Sequence, residues 1–190
     1  MRAATAVMAE RGARAAKGTV AVAGALAAVV AAVVLAPAGD IAWVEPGPDG
    51  WARGPFAEAR VTSVRQASAV QSGPGRLETA QVFVLVGLEV TAHRQVAPLG
   101  DISLLTSDGH EYHQRSELGA AELPSVEPGF TSSGTALFEV PPERVPGAQL
   151  LIVPHPGGLL YYRSGLRFKL DVEEVLPDAT APSSHTWVRR

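Results

Sequence analysis

Two patterns of apolar and polar residues divide the chain. Residues 18–39 read GTVAVAGALAAVVAAVVLAPAG and contain no charged residue. From Phe56 onward, apolar and polar residues alternate in short runs that glycine and proline separate. A long uncharged run favours a helix, which satisfies its own backbone in an apolar medium, whereas alternation favours strands with one buried face. The sequence therefore predicts one apolar helix followed by a β-domain.

The run over residues 18–39 is long enough to cross a membrane. At ~1.5 Å per residue it would extend about 33 Å as a helix, against roughly 30 Å for a hydrocarbon core. Acidic residues follow the run before the first base, Arg53, and four bases precede it: Arg2, Arg11, Arg14 and Lys17. Because basic flanks stay in the cytoplasm, we expect residues 1–17 to be a cytoplasmic tail and residues 18–39 a transmembrane signal anchor.

Cleavage of this segment is the main alternative. Ala36-Pro37-Ala38 has the small-x-small pattern of a signal-peptidase site, and cleavage near Ala38 would make the protein secreted. The run is longer than the about 7–15 residues of a signal-peptide core, which favours a retained anchor. Trp43, just after the run, suits the outer membrane–water interface. Residues 40–55 are rich in glycine and proline and are expected to form a linker.

Residues 56–175 have the pattern of a β-sandwich. Val82, Val84, Val86, Leu88 and Val90 share one face of a strand over residues 81–92. Asp108-Gly109 predicts a hairpin, because glycine accepts the positive φ of such a turn. Further strands are expected near 57–67, 102–106, 111–113, 131–140, 150–153 and 166–172, with a turn at 71–76. Seven or so strands and no further helix predict an antiparallel, immunoglobulin-like β-sandwich, followed by a flexible tail over 176–190.

Three segments between residues 60 and 172 resemble a known family. They are VFVLVGLEVTAHRQ (82–95), SDGHEY (107–112) and PGFTSSGTALFEVPPE (128–143). Their order resembles a bacterial immunoglobulin-like domain family of unknown function, found on membrane-anchored and secreted proteins of Gram-positive bacteria such as actinobacteria. That family is similar in fold to the mycobacterial immunoprotective secreted antigen. Its motif positions fall here on Asp108, Gly109, Tyr112, Pro128, Gly129, Gly134, Phe138, Val140 and Pro141. The resemblance implies an immunoglobulin-like fold and an extracytoplasmic location, and it carries over no catalytic residue.

Composition narrows the classes of function. The 190-residue chain has a net charge of −3 and no cysteine, which excludes disulfides, thiol nucleophiles, cysteine-based metal sites and lipid attachment through cysteine. Residues 1–17 carry a net positive charge, so the rest of the chain has a net charge more negative than −3. Because nucleic-acid binding needs clustered basic residues, we expect none here. His110 and His113 would point to opposite faces of a strand, which is unsuitable for a shared metal. No Gly-x-Ser-x-Gly turn exposes a serine. We therefore predict no catalytic residue, no metal or cofactor, and no enzymatic activity.

One short run is a candidate interaction surface. Leu159, Leu160, Tyr161 and Tyr162 follow two glycines, and tyrosine is enriched where proteins meet. The alternative is that these residues close one end of the sandwich. The function we expect is a single-pass membrane protein whose extracytoplasmic domain binds an envelope protein. The alternative function is a secreted or tethered binder of a small apolar or cell-wall ligand.

Overall fold

The computed structural model describes the second of two compact units of the chain. The units are residues 1–40 and residues 41–190. The described residues are 41–72, 75–93, 96, 99, 101–115, 126–154, 164–172, 174–180 and 186–189. The predicted cytoplasmic tail and the predicted span at 18–39 lie outside them. Within the described residues, no helix is both long enough and apolar enough to span a bilayer.

The described residues form eleven strands and one short 3₁₀ helix. The strands are β1 (Ala42–Val44), β2 (Ala52–Arg53), β3 (Ala57–Ser72), β4 (Gly75–Ala92), β5 (Asp101–Leu105), β6 (Glu111–His113), β7 (Phe130–Val140), β8 (Gln149–Val153), β9 (Ser164–Lys169), β10 (Glu174–Thr180) and β11 (Thr186–Arg189). The 3₁₀ helix is Pro142–Arg144, directly after β7. The alternating segments therefore form strands as predicted, because alternation buries one face of each.

The strands form two sheets, which confirms a mainly β, two-sheet fold. One sheet has five strands in the order β1-β9-β8-β5-β6, and the other has the order β10-β3-β4-β7-β11, with β2 also paired to β3. Two pairs are parallel, β1 with β9 and β10 with β3. The expectation of a wholly antiparallel arrangement is therefore wrong for these two pairs. Both involve edge strands near the ends of the described domain, whose short runs carry no alternation that would reveal a partner.

The main core contains residues from both sheets. Val84, Val86, Leu88 and Val90 of β4 are each at most 1% exposed and belong to this cluster, with Val82 packed against it. They share it with Leu104, Phe138, Leu150, Ile152, Leu166 and Phe168, among others. Burying each such side chain contributes roughly 1.5–3 kcal/mol relative to leaving it exposed. The apolar face predicted for the strand over residues 81–92 is therefore confirmed.

A second apolar cluster lies on the opposite face of β4. It contains Phe83 and Leu85 of β4, Leu137 of β7, Ala67 and Val70 of β3, and Ala179 of β10, with Leu77 and Leu176 packed against it. Phe83, Leu85 and Leu137 are at most 2% exposed. The outer face of a sandwich sheet is commonly solvated, so an apolar cluster there needs a cover. Residues of β10 and of the end of the β3–β4 hairpin belong to the same cluster.

The segment predicted as a linker is part of the sandwich. Residues 40–55 include β1 and β2, and only residues 40 and 41 separate the predicted span from β1. Trp43 packs on Gly165 of β9: a Cβ at that glycine would lie 2.7 Å from Trp43 Cε3. Arg167 of β9 donates a hydrogen bond of 2.6 Å to Glu45 Oε1. Trp43 therefore has a packing role in the domain, which its position after the apolar run did not reveal.

The C-terminal segment also differs from the prediction of a flexible tail over residues 176–190. Glu174–Thr180 pairs in parallel with β3, and Thr186–Arg189 pairs antiparallel with β7. These strands obtain their hydrogen bonds from partners distant in sequence, and the segment lacks a repeating apolar face. The lack of an apolar face can be read from the sequence, whereas pairing with a distant strand cannot.

Candidate functional site

The predicted interaction surface lies outside the described residues. Leu159, Leu160, Tyr161 and Tyr162 fall between the end of β8 at Val153 and the start of β9 at Ser164. Their role stays a prediction.

The two hairpin histidines pair with different carboxylates. His110 Nδ1 lies 3.2 Å from Asp108 Oδ2, and His113 Nδ1 lies 3.8 Å from Asp101 Oδ1. Among the residues that the structure describes, no three histidine, aspartate or glutamate side chains are grouped so that they could hold a metal ion. Within the described residues, neither histidine therefore belongs to a group of side chains that could bind a metal ion.

The β5–β6 hairpin ends in a hydrogen-bonded network around Asp108. The Thr106 hydroxyl donates a 2.5 Å hydrogen bond to Asp108 Oδ1, and Arg144 Nε lies 3.0 Å from Asp108 Oδ2. The Thr106 hydrogen bond, and then the charge of Arg144, lower the pKa of Asp108. Arg144 Nη1 also donates to the Tyr112 hydroxyl at 2.7 Å, and this bond raises the pKa of Arg144. Gly109, with φ of 85°, makes the turn between them.

This network gives Asp108, Gly109 and Tyr112 a structural role. Asp108 and Tyr112 both bind Arg144 of the 3₁₀ helix, so they join the hairpin to the segment after β7. Sequence reasoning singled out the aspartate, glycine and tyrosine but not Arg144. Its position directly after Pro141-Pro142 and Glu143 gives no hint of the hairpin, about thirty residues earlier in the chain.

Paired charges lie on the outer face of the six-stranded sheet, beside β2. Arg60 Nε donates a 2.8 Å hydrogen bond to Glu89 Oε2, and the Arg60 guanidinium carbon lies 5.0 Å from the centre of the Trp51 ring. Glu58 is 5% exposed and lies 3.3 Å from Arg53 Nε. A buried carboxylate needs such a partner, because an unpaired buried charge is strongly unfavourable. These pairs connect β2, β3 and β4.

Asp49 and Arg53 extend this charged region onto the turn before β2. Arg53 Nη1 donates a 3.1 Å hydrogen bond to Asp49 Oδ1. The side-chain hydrogen bond from Arg53 is the largest cause that lowers the pKa of Asp49 to about 2. Asp49 and Asp108 are therefore ion-pair partners of Arg53 and Arg144, respectively.

Glu139 joins three elements beside the second apolar cluster. It lies opposite Phe83 in the β4–β7 ladder and accepts hydrogen bonds from the Thr79 hydroxyl and from Arg115 Nη1. Arg115 also donates its backbone N–H to the Leu137 carbonyl at 2.8 Å. The C-terminal end of β7 is therefore bonded both to Arg115, the second residue after β6, and to Thr79 of β4. The apolar character of both faces in the first half of β4 was the only sequence signal for this cluster.

Comparison with known proteins finds two solved structures that are similar to this chain. No protein-family model matches this chain, and no curated protein matches it. An uncharacterised β-sandwich protein of Clostridium difficile 630 is 10% identical, with a TM-score of 0.41 over 71% of this chain and 99% of that one. The yjhA protein from Bacillus subtilis is 11% identical, with a TM-score of 0.47 over 67% of this chain and 99% of that one. Similarities this low support no assignment of function. The β-sandwich is established by the two sheets of the described residues.

Proposed function

We propose that this chain is a single-pass membrane protein whose immunoglobulin-like domain lies outside the cytoplasm and binds an envelope protein without catalysing a reaction. The observation that carries the proposal is the uncharged run over residues 18–39, with basic residues before it and acidic residues after it. A cysteine-free β-sandwich is compatible with an extracytoplasmic location, because it needs no disulfide to be stable there.

The edges of the sandwich support a binding role. Edge strands present backbone N–H and C=O groups to which an extended segment of another protein can pair. Among the described residues, the large apolar side chains that are most exposed are Val175 (71%) and Val188 (56%), on the edge strands β10 and β11. A partner strand at either edge would cover an apolar side chain as well as satisfy backbone groups.

The membrane part of the proposal is tested with a matched pair of variants. An arginine in the middle of a span costs about 2.5–3.5 kcal/mol, so Val29→Arg should cancel most of the modest insertion energy of this alanine-rich run, whereas Val29→Leu should not. We expect the wild type and Val29→Leu to stay in the alkali-washed membrane fraction, and Val29→Arg to lose this association. Protease added to intact cells should remove the domain and leave the N-terminal tail protected. A mature N-terminus near Gly39 would instead indicate a secreted protein.

The binding part is tested by crosslinking in cells that express the full chain. We expect an envelope protein that crosslinks to the wild type to be reduced in Val175→Lys and Val188→Lys. Val96→Lys is the control, because Val96 is also exposed (46%) but belongs to no strand. Recovery of the same proteins from all four chains would contradict binding at these edges. Recovery of no envelope protein would contradict the role itself.

A further inference from the structure

The β3–β4 hairpin changes register near its end. Ala67 pairs with Phe83, but Ala69 pairs with Glu78, so residues 79–82 of β4 lie opposite Ser68 alone. Extra residues on one strand bend it and increase its twist. Beyond this irregularity, residues 69–72 and 75–78 continue the hairpin, and β10 pairs with β3 from Arg65 to Gln71. We call these hairpin residues and β10 the strap.

The strap belongs to the second apolar cluster. Val70, Leu77, Leu176 and Ala179 of the strap share this cluster with three fully or almost fully buried side chains of the sheet face: Phe83, Leu85 and Leu137. In addition to its backbone ladders, the strap makes polar side-chain contacts at exposed positions. Arg76 Nη2 lies 2.8 Å from Asp178 Oδ1, and the Ser68 hydroxyl donates a 2.8 Å hydrogen bond to the Pro177 carbonyl.

The strap is connected to β11 by a short stretch of chain. Only residues 181–185 separate Thr180 from Thr186, and six steps of extended chain span at most about 20–22 Å. Yet β10 and β11 are the two opposite edges of the sheet, four strand spacings or about 19 Å apart. The geometry therefore leaves almost no slack for any displacement along the strands.

Thr180 and Thr186 also lie at different levels along the strand direction of the sheet. Thr180 pairs with Gln71, whereas Thr186 pairs with Ser133, which lies opposite Glu89 and hence at the level of Arg60. On a straight β3, Arg60 and Gln71 would be about 30–36 Å apart, so Thr180 and Thr186 would be separated by roughly 35–40 Å. The connection is far too short for that separation. Both pairings can exist together only because β3 does not run straight between Arg60 and Gln71, where register shifts at Val61/Ser63 and Ala67/Ala69 interrupt the ladder.

We propose that β11 is a latch for the strap. While β11 is paired with β7, the hairpin end cannot straighten, and the strap is held on Phe83, Leu85 and Leu137. Release of β11 removes this constraint and lets the strap lift, which exposes an apolar face that is otherwise buried. This device does not depend on the proposed membrane location or on any partner.

A proline in β11 tests the latch. The Leu137 carbonyl accepts a hydrogen bond from the Arg115 backbone N–H, so this carbonyl points away from β4. Backbone groups alternate in direction along a strand, so the backbone groups of Thr131 and Ser133 point to the same side as those of Leu137. Val188 is paired with Thr131, so Val188→Pro removes an N–H that faces β7. Val188→Thr keeps that N–H and is the matched control. A second unlatched variant is the chain ending at Thr180.

The readout is the reactivity of a single introduced cysteine, which is unambiguous because the chain has no cysteine of its own. Ala179→Cys, at a position 5% exposed in the strap, reports on the second cluster. Ala148→Cys, at a position 1% exposed in the main core, reports on unfolding of the sandwich. The rate of modification by a thiol reagent is measured in full-length chains and in the chain ending at Thr180.

We expect the thiol introduced by Ala179→Cys to react about tenfold faster in the Val188→Pro and truncated chains than in the Val188→Thr chain. The thiol introduced by Ala148→Cys should react at the same rate in all three. Unchanged rates at position 179 in both unlatched chains would overturn the proposal. Equal acceleration at positions 179 and 148 would also overturn it, because β11 would then stabilise the whole sandwich rather than the strap.

Discussion

The contact between Trp43 and Gly165 leads to a sharp prediction about the N-terminal edge of the domain. In Gly165→Ala the new Cβ would lie 2.7 Å from Trp43 Cε3 and 3.0 Å from Ile41 Cγ2. Overpacking of this kind costs about 1–3 kcal/mol, and the lower conformational entropy of the unfolded alanine chain offsets about 0.4–1 kcal/mol of it. We expect a net loss of about 1–2 kcal/mol, or a fall in Tm of roughly 3–6 °C for a domain of this size.

The assay is denaturant unfolding of Gly165→Ala in two backgrounds, wild type and Trp43→Ala. If the ring causes most of the clash, the alanine should cost clearly less once the ring is removed, with only the 3.0 Å contact to Ile41 Cγ2 left, and the coupling energy should be about 1 kcal/mol. Gly47→Ala is the control within the same predicted linker, because its Cβ would make an ordinary 3.4 Å contact with Asp49 Oδ1. Equal losses in both backgrounds would refute the packing of β1 on β9.

Three further predictions concern other parts of the domain. Leu137→Ala should lower the free energy of unfolding by about 2–5 kcal/mol, because it leaves a cavity at a fully buried site. Val175→Ala, at an exposed site, should change the free energy of unfolding by less than about 0.5 kcal/mol. The denaturant midpoints of the two variants test this difference. Gly109→Val should destabilise the hairpin by about 1–2 kcal/mol and Gly109→Asn by less, since φ is 85° there; a smaller loss for valine in thermal unfolding would contradict this. The pKa of Asp49 is about 2 in the folded chain and 3.8 ordinarily, so its stabilising contribution is present above pH 3.8 and is lost as the pH falls towards 2; Asp49→Asn should flatten this part of the stability–pH curve, and parallel curves would argue against the pairing with Arg53.

The interior of the sandwich could be predicted from the sequence because its strands carry their own signal. Val84, Val86 and Leu88 alternate with residues of the other face, and Asp108-Gly109 marks a turn by its backbone requirement alone. Such features are local, since each depends on a few consecutive residues. The main core and the β5–β6 hairpin therefore agree with the pattern.

Apart from β6, the edge strands of the two sheets and the short β2 could not be predicted in the same way. β1, β10 and β11 take their hydrogen bonds from strands that are far away in sequence, and Pro177 within β10 argues locally against a strand. β2 pairs with the start of β3 a few residues later, but its two residues are too few to show a period. The Arg144 contacts to Asp108 and Tyr112 are equally non-local. Phe83 and Leu85 make the second face of β4 apolar as well, but the sequence does not indicate which residues cover that face.

The order in which the chain is synthesised gives these C-terminal edges a further consequence. β3 and β7 leave the ribosome long before β10 and β11, and Glu174 pairs with Arg65 more than one hundred residues earlier. Until the last part of the chain is made, long stretches of both edges of the six-stranded sheet lack their final partners, and open edges of this kind pair readily with other nascent chains. Products that terminate before β10 should therefore aggregate, and this sheet can be completed only after residues 174–189 have been made.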